Sequence, residues 1–217
     1  MEDMVNTLVF DFDGTIADSL GVGIDVYNEI AEEYNFKKLN PSDFAKLGKL
    51  PIAKKCNVLG ISLRQIPLLV HKLNEKFKDN VSRVKVFDKM KEVLYTLEKE
   101  KYSLHIISSN TENTIKEVLQ KNNLDIFESI YSSRNIFGKH HSINDFIKKN
   151  GLHNDEIIYI GDELRDIEAC KKAKVKIISV TWGFESADLL LTGNPDFLAK
   201  DPEDIIRIIK TINTVNP

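Results

Sequence analysis

The sequence predicts an α/β protein, a doubly wound parallel sheet with a helical unit inserted after its first strand. Three observations carry this. Short apolar runs rich in β-branched and aromatic residues alternate with helix-period segments along most of the 217 residues. Those runs lack the polar alternation of a half-exposed strand, as expected of strands covered on both faces. Finally, a stretch of about 70 residues after the first run carries only helical patterns, which is too long for an ordinary connection.

The strand candidates are Val5–Phe10, Leu104–Ile107, Ser129–Tyr131, Ile157–Ile160 and Lys176–Val180. Helix candidates lie near Asp88–Lys99, Glu112–Lys121, Ser142–Asn150 and Leu164–Lys174, and a last helix is expected after Asp201-Pro202, where proline suits a first turn. Strand and helix alternating in this way imply a parallel sheet. Within residues 16–85 the rhythm changes. Leu20, Ile24, Tyr27, Ala31 and Tyr34 form one helical stripe, and Ile66, Leu69, Val70, Leu73 and Phe77 form another. Ser62 and Gln65 have capping-box spacing, although Pro67 argues for a later helix start. No strand is expected in this stretch. The expected organisation is therefore a core of residues 1–15 and 86–217, with residues 16–85 as an α-helical subdomain.

The charges divide along the same line. The inserted segment carries a net charge of +4 and the remainder −7, for an overall −3. Solvated helix faces account for most single lysines; the split also suits an acidic cation site beneath a lid that attracts phosphate. The overall charge gives no reason to expect nucleic acid or an anionic membrane as partner. No run approaches the roughly 20 apolar residues of a membrane helix, and the first ten residues lack the pattern of a secretory signal. A cytoplasmic location is the expectation. Cys56 and Cys170 have no metal-like spacing and read as buried, reduced thiols.

Chemistry concentrates after the strands. Asp11-Phe12-Asp13-Gly14-Thr15 follows the first, and residues two apart on an extended exit face the same way, so both carboxylates can address one site. Gly14 allows a sharp turn there. Carboxylates at the carboxyl end of a parallel strand sit where open α/β sheets bind ligands. Ser108-Ser109-Asn110 opens the helix after the second strand, where hydroxyls and free N–H groups can cradle phosphate, or merely cap the helix. Gly161-Asp162-Glu163-Leu164-Arg165-Asp166 again places carboxylates after a strand. Asp11, Asp13 and Asp162 together suit Mg²⁺, which takes oxygen ligands with water and phosphate completing the octahedron. By spacing alone Lys139 reads as a surface lysine, and His140-His141 as exposed loop residues.

In order and spacing these pieces resemble the haloacid dehalogenase superfamily over essentially the whole chain. Asp11–Ser19, DFDGTIADS, resembles its DxDGT motif as found in phosphoglycolate-phosphatase-like members; Ser108 falls on the second motif, Lys139 on the third, and Gly161, Asp162 and Asp166 on the fourth, GDxxxD. The insert looks like that subclass's α-helical cap, and Val180-Thr181-Trp182-Gly183-Phe184 is similar to its tail. Two positions depart from the pattern. Lys139 precedes His140-His141-Ser142 rather than a K-P-x-P run, and Glu163 replaces the usual Ser, Thr or Asp.

The resemblance implies a Mg²⁺-dependent phosphatase for a small phosphorylated metabolite, phosphoglycolate-like or a sugar phosphate, working as monomer or homodimer. It implies Asp11 as nucleophile forming an aspartyl-phosphate, and Asp13 as general acid and base. Ser108, Ser109, Asn110 and Lys139 would bind phosphate. Asp11, Asp13 and Asp162 would hold the metal, with Asp166 and Glu163 around it. Lys46 and Lys49 fall where related caps approach substrate. Asp13 speaks against carbon–halogen cleavage. A β-phosphoglucomutase-like mutase is the alternative, and a phospho-aspartate signalling module a more distant one.

Overall fold

The computed structural model describes residues 4–48, 50, 52–133 and 138–215. After β1 (Thr7–Phe10) and the two-residue β2 (Ala17–Asp18) come four helices, α1 (Leu20–Tyr34), α2 (Pro41–Gly48), α3 (Ile52–Leu59) and α4 (Ile66–Asn80). The chain then forms β3 (Lys85–Val86), α5 (Met90–Lys99), β4 (Ser103–Ser108), α6 (Glu112–Lys121) and β5 (Ser129–Ser132). It continues as α7 (Lys139–Asn150), β6 (Ile157–Gly161), α8 (Leu164–Ala173), β7 (Lys176–Val180), α9 (Ala187–Thr192), β8 (Phe197–Ala199) and α10 (Pro202–Val215).

Six strands form one parallel sheet in the order β5-β4-β1-β6-β7-β8. From central β1 the chain builds outward through β4 and β5, then returns to β1's other edge for β6, β7 and β8. The strand order therefore reverses beside β1, and the carboxyl ends of β1 and β6 flank the crevice that such a reversal opens.

Both sheet faces are covered. Leu8 and Phe10 of β1 point into a cluster with Leu94 and Leu97 of α5, Ile115 and Val118 of α6, and Ile205 and Ile209 of α10. Val9 points the other way, toward Phe146 of α7 and Ile167 and Cys170 of α8. This two-sided burial is why the strands read as continuous apolar runs.

The helical stretch has a third, smaller cluster of Tyr27, Ala31, Leu47, Cys56, Leu59 and Ile61. Helix α1 serves two cores, since its Val22, Val26 and Ile30 join the main one. Helix α4 starts later than the Ser62 cap, at Ile66, as Pro67 suggested. Ser62 and Gln65 form a capping box on a 3₁₀ turn, Leu63–Gln65, and Pro67 falls in the first turn of the helix that follows, where no N–H is required.

Five elements differ from expectation. β2 and β3 pair antiparallel, Ala17 with Val86 and Asp18 with Lys85, tying together the chain's passages into and out of the helical stretch. A two-residue ribbon has no periodicity to detect. Strand β8 and helix α9 are likewise too short for a period to stand out. His140 and His141 lie in the first turn of α7 rather than in a loop, with rings 3.9 Å apart. Both cysteines are free and buried. Among the described residues no helix is long and apolar enough to cross a membrane.

Candidate active site

Asp11 is the first residue beyond β1, and its amide donates to the Ile160 carbonyl at 2.8 Å, so the ladder with β6 sets its height. The chain then turns. The Phe12 carbonyl accepts from Ile16 and Ala17, both at 2.9 Å, and Gly14 takes a φ of +79°, which a side chain would resist. A methyl group there would also overlap the Asp162 carboxylate.

The turn gives the two motif carboxylates different hydrogen-bond partners. Asp11 Oδ1 accepts the Phe12 amide at 2.8 Å and Oδ2 accepts Lys139 Nζ at 2.7 Å. Asp13 turns toward Asn110, whose Nδ2 donates to Oδ2 at 2.9 Å, and toward the Ser19 hydroxyl. Burial raises the Asp13 pKa, the two hydrogen bonds opposing it and the Asp11 charge adding to it.

Carboxylate oxygens of Asp11, Asp162 and Asp166, all buried, lie within 4.8 Å of one another. Asp162 is held by the Thr15 hydroxyl at 2.9 Å and the Phe184 amide at 2.8 Å. Thr15 is fixed in turn, its carbonyl accepting Trp182 Nε1 at 3.1 Å. Gly183 lies so close that a methyl on it would strike Asp162 and the Gly14 carbonyl. Burial first, then the charges of Glu163, Asp11 and Asp166, push the Asp162 pKa well up; burial likewise lifts Asp166 to about 6 against the pull of Lys139.

Lys139 is not at the surface. At 3% exposure it opens α7 and donates to Asp11 and, at 2.5 Å, to Asp166. Its ammonium also sits 5.5 Å from the centre of the Tyr159 ring. Burial opposes its charge, but Asp11 and Asp166 outweigh that and raise its pKa. The donor set fits a hard divalent cation. It is all oxygen, and three buried carboxylates against one ammonium leave negative charge that the neighbouring side chains do not balance. Glu163 turns aside, capping α8 and pairing with Arg165 at 2.6 Å.

Ser108, the last residue of β4, is buried, and its Oγ accepts the Asn110 amide at 3.2 Å; Ser109 is exposed. The helix-capping account of this segment does not hold, because the cap of α6 is Thr111, whose hydroxyl accepts the Thr114 amide at 3.2 Å. Asn110 is thereby left to orient Asp13.

Residues 8–180 match the sequence profile of the family described as haloacid dehalogenase-like hydrolase. The chain belongs to that family. Phosphoglycolate phosphatase of Synechococcus elongatus is 26% identical over 206 residues, covering 94% of this chain and 97% of the relative. The pyrophosphatase PpaX of Oceanobacillus iheyensis is 22% identical over 209 residues, with 94% and 97% covered. The crystal structure of a predicted phosphatase from Clostridium acetobutylicum superposes with a TM-score of 0.84 at 20% identity, covering 96% of this chain and all of that one. The solved structure of a haloacid dehalogenase-like family protein from Streptococcus pneumoniae, with a TM-score of 0.81 at 22% identity over 94% of this chain and 98% of that one, bears out the expected fold.

Residues given no role in the sequence reading complete the site of this family member. Thr15, Ser19, Trp182, Gly183 and Phe184 lie inside the quoted motifs, but their partners are fixed only by the fold, at 147 positions for Thr15 with Asp162, 167 for Trp182 with Thr15 and 22 for Phe184 with Asp162. Lys46 is exposed and lines a separate depression with Lys37, Asp43 and Val58, not the space beside Asp13. Lys49 lies outside the described residues.

Proposed function

We propose that this protein is a Mg²⁺-dependent phosphatase that hydrolyses a small phosphomonoester through an aspartyl-phosphate on Asp11, with residues 16–85 acting as an α-helical cap over a core of residues 1–15 and 86–217. The observation that carries the reading is the division of labour at the end of β1. Asp11 sits among Lys139, Asp162 and Asp166, while Asp13 is held by Asn110 and lines a cavity. A nucleophile and a proton-transfer group are thus adjacent yet separately held.

In this mechanism Asp11 attacks phosphorus and the substrate's ester oxygen departs on the side of Asp13. Asp13 protonates that oxygen, then takes a proton from the water that hydrolyses the aspartyl-phosphate. Asn110 and Ser19 hold it in place for both transfers. Lys139 and the Ser108–Asn110 segment offset charge on the phosphoryl oxygens. Asp11, Asp162 and Asp166 would hold Mg²⁺, which supplies electrostatic stabilisation of those oxygens when bound.

The test is phosphate release from a panel of phosphomonoesters by wild type and Asp11→Asn in Mg²⁺. Wild type should turn over at least one ester, and the variant none, because an amide cannot attack. Turnover by a folded Asp11→Asn within about tenfold of wild type would remove Asp11 as nucleophile.

A further inference from the structure

The cavity beside Asp13 has a volume of about 350 Å³, within the range of small-ligand sites. Its apolar walls come mainly from the helical stretch, while Ser109, Asn110, Thr111, Thr114 and Phe184 of the core complete the lining. Leu20, Ile24 and Tyr27 follow one another up a face of α1; Leu73 and Phe77 stand one turn apart on α4; and Leu39 closes the side between them. Leu39 is pinned there by Asn28, which accepts its amide and donates to its carbonyl, both at 2.7 Å. The Tyr27 hydroxyl donates to the Lys37 carbonyl at 2.9 Å, so its polar end is committed elsewhere. Among the described residues the one charged side chain in the lining is Asp13 itself.

Such a wall suits some leaving groups and excludes others. A carboxylate-bearing or second phosphoryl leaving group would lose its hydration against apolar side chains, with no cation in the lining and the Asp13 carboxylate as its nearest charge. A sugar would bury several hydroxyls with few partners, since Ser19 and Asn110 are engaged by Asp13 and Thr111 by Thr114, which leaves the side chains of Ser109 and Asn74 among the polar groups of the lining. An apolar group loses nothing comparable and gains from leaving water.

On the reading of this site as a phosphatase, we infer that the preferred substrate is a monophosphate ester of an apolar, uncharged alcohol, whose hydrocarbon part is held between α1 and α4. Specificity then resides in Ile24, Leu73 and Phe77, not in lysines.

The experiment is a chain-length series of ethyl, butyl and hexyl phosphate, beside 2-phosphoglycolate, glucose 6-phosphate and inorganic pyrophosphate, all in Mg²⁺. The alkyl leaving groups are nearly equal in basicity, so the series reads the cavity and not the chemistry. Wild-type kcat/KM should rise about fourfold per methylene until the cavity is filled, and hexyl phosphate should exceed the three polar substrates by roughly tenfold or more. Leu73→Lys should flatten the series and raise 2-phosphoglycolate relative to hexyl phosphate; the wild-type series decides the matter even if that variant does not fold. A flat or falling series, with a polar substrate preferred, would overturn the apolar assignment and leave the phosphatase reading standing. Hydrolysis of none of the six would overturn the phosphatase reading itself, and this inference with it.

Discussion

Lys139 Nζ lies 2.7 Å from Oδ2 of Asp11, a residue 128 positions earlier, and the contact is buried on both sides. The same ammonium reaches Asp166. One cation thus stands between a carboxylate at the end of β1 and another in the first turn of α8.

Removing that cation should be costly. Lys139→Met leaves Asp11 and Asp166 buried without their ammonium, and stability measured by urea unfolding in EDTA should fall by about 3–5 kcal/mol. A loss below about 1 kcal/mol would mean that Arg165 or solvent compensates the pair.

Asp13→Asn should keep substrate binding while slowing turnover by about 10²–10⁴-fold, since it removes proton transfer but leaves Asp11 and its partners untouched. The check is kcat against KM on the best phosphomonoester. A variant with wild-type kcat would disprove the acid–base role.

Metal removal has two readouts. EDTA should silence turnover and Mg²⁺ should restore it, with Ca²⁺ a poor substitute because of its longer bonds and higher coordination number. The protein's single tryptophan, Trp182, is linked through the Thr15 carbonyl and hydroxyl to Asp162, so its emission should report Mg²⁺ binding without any substrate. Asp162→Ala should shift the Mg²⁺ titration to higher concentration; an unshifted curve would place the ion elsewhere.

Acid should act through His105. It is buried in β4, its Nδ1 2.8 Å from the Ser129 hydroxyl and its ring against Phe146. Burial lowers its pKa, and the partly opposing Glu128, 3.9 Å from Nε2, does not restore it. The unfolded chain therefore binds this proton more readily than the folded one, so His105 contributes a loss of stability as pH drops from about 7 to 5. That loss is opposed by the raised carboxyls of Asp13, Asp162 and Asp166, which bind protons more readily when folded. Relative to wild type, His105→Gln should gain stability as pH drops over that range in urea titrations; an identical pH dependence would show that His105 contributes nothing to it.

Much of this protein was legible before any coordinates. Lys176–Val180 and Glu112–Lys121 have their expected bounds, because an apolar run covered on both faces and a full amphipathic period are strong local signals. The turn at Gly14 and the acidic starts after β1 and β6 were equally readable, since local backbone chemistry demands them. β2, β3, β8 and α9 are too short to show a period.

What the sequence determined by itself is the set of chemical groups and the strand ends that carry them. Their pairings were a matter for the tertiary structure. Parallel strands β1 and β6 are neighbours in the sheet though some 150 positions apart in sequence, so only the folded sheet brings Asp11 to Asp162 and Asp166 and buries Lys139 among them. The tight turn after Phe12 gives Asp13 a partner, Asn110, that lies 97 positions away in sequence. The apolar stripes of α1 and α4 read as ordinary helix packing, and three-dimensional placement makes part of each a cavity wall. The physical reason is common to all of these. Secondary structure follows from periodicity and backbone preference along the chain, whereas a binding site is made by residues whose separation in sequence bears no relation to their separation in space.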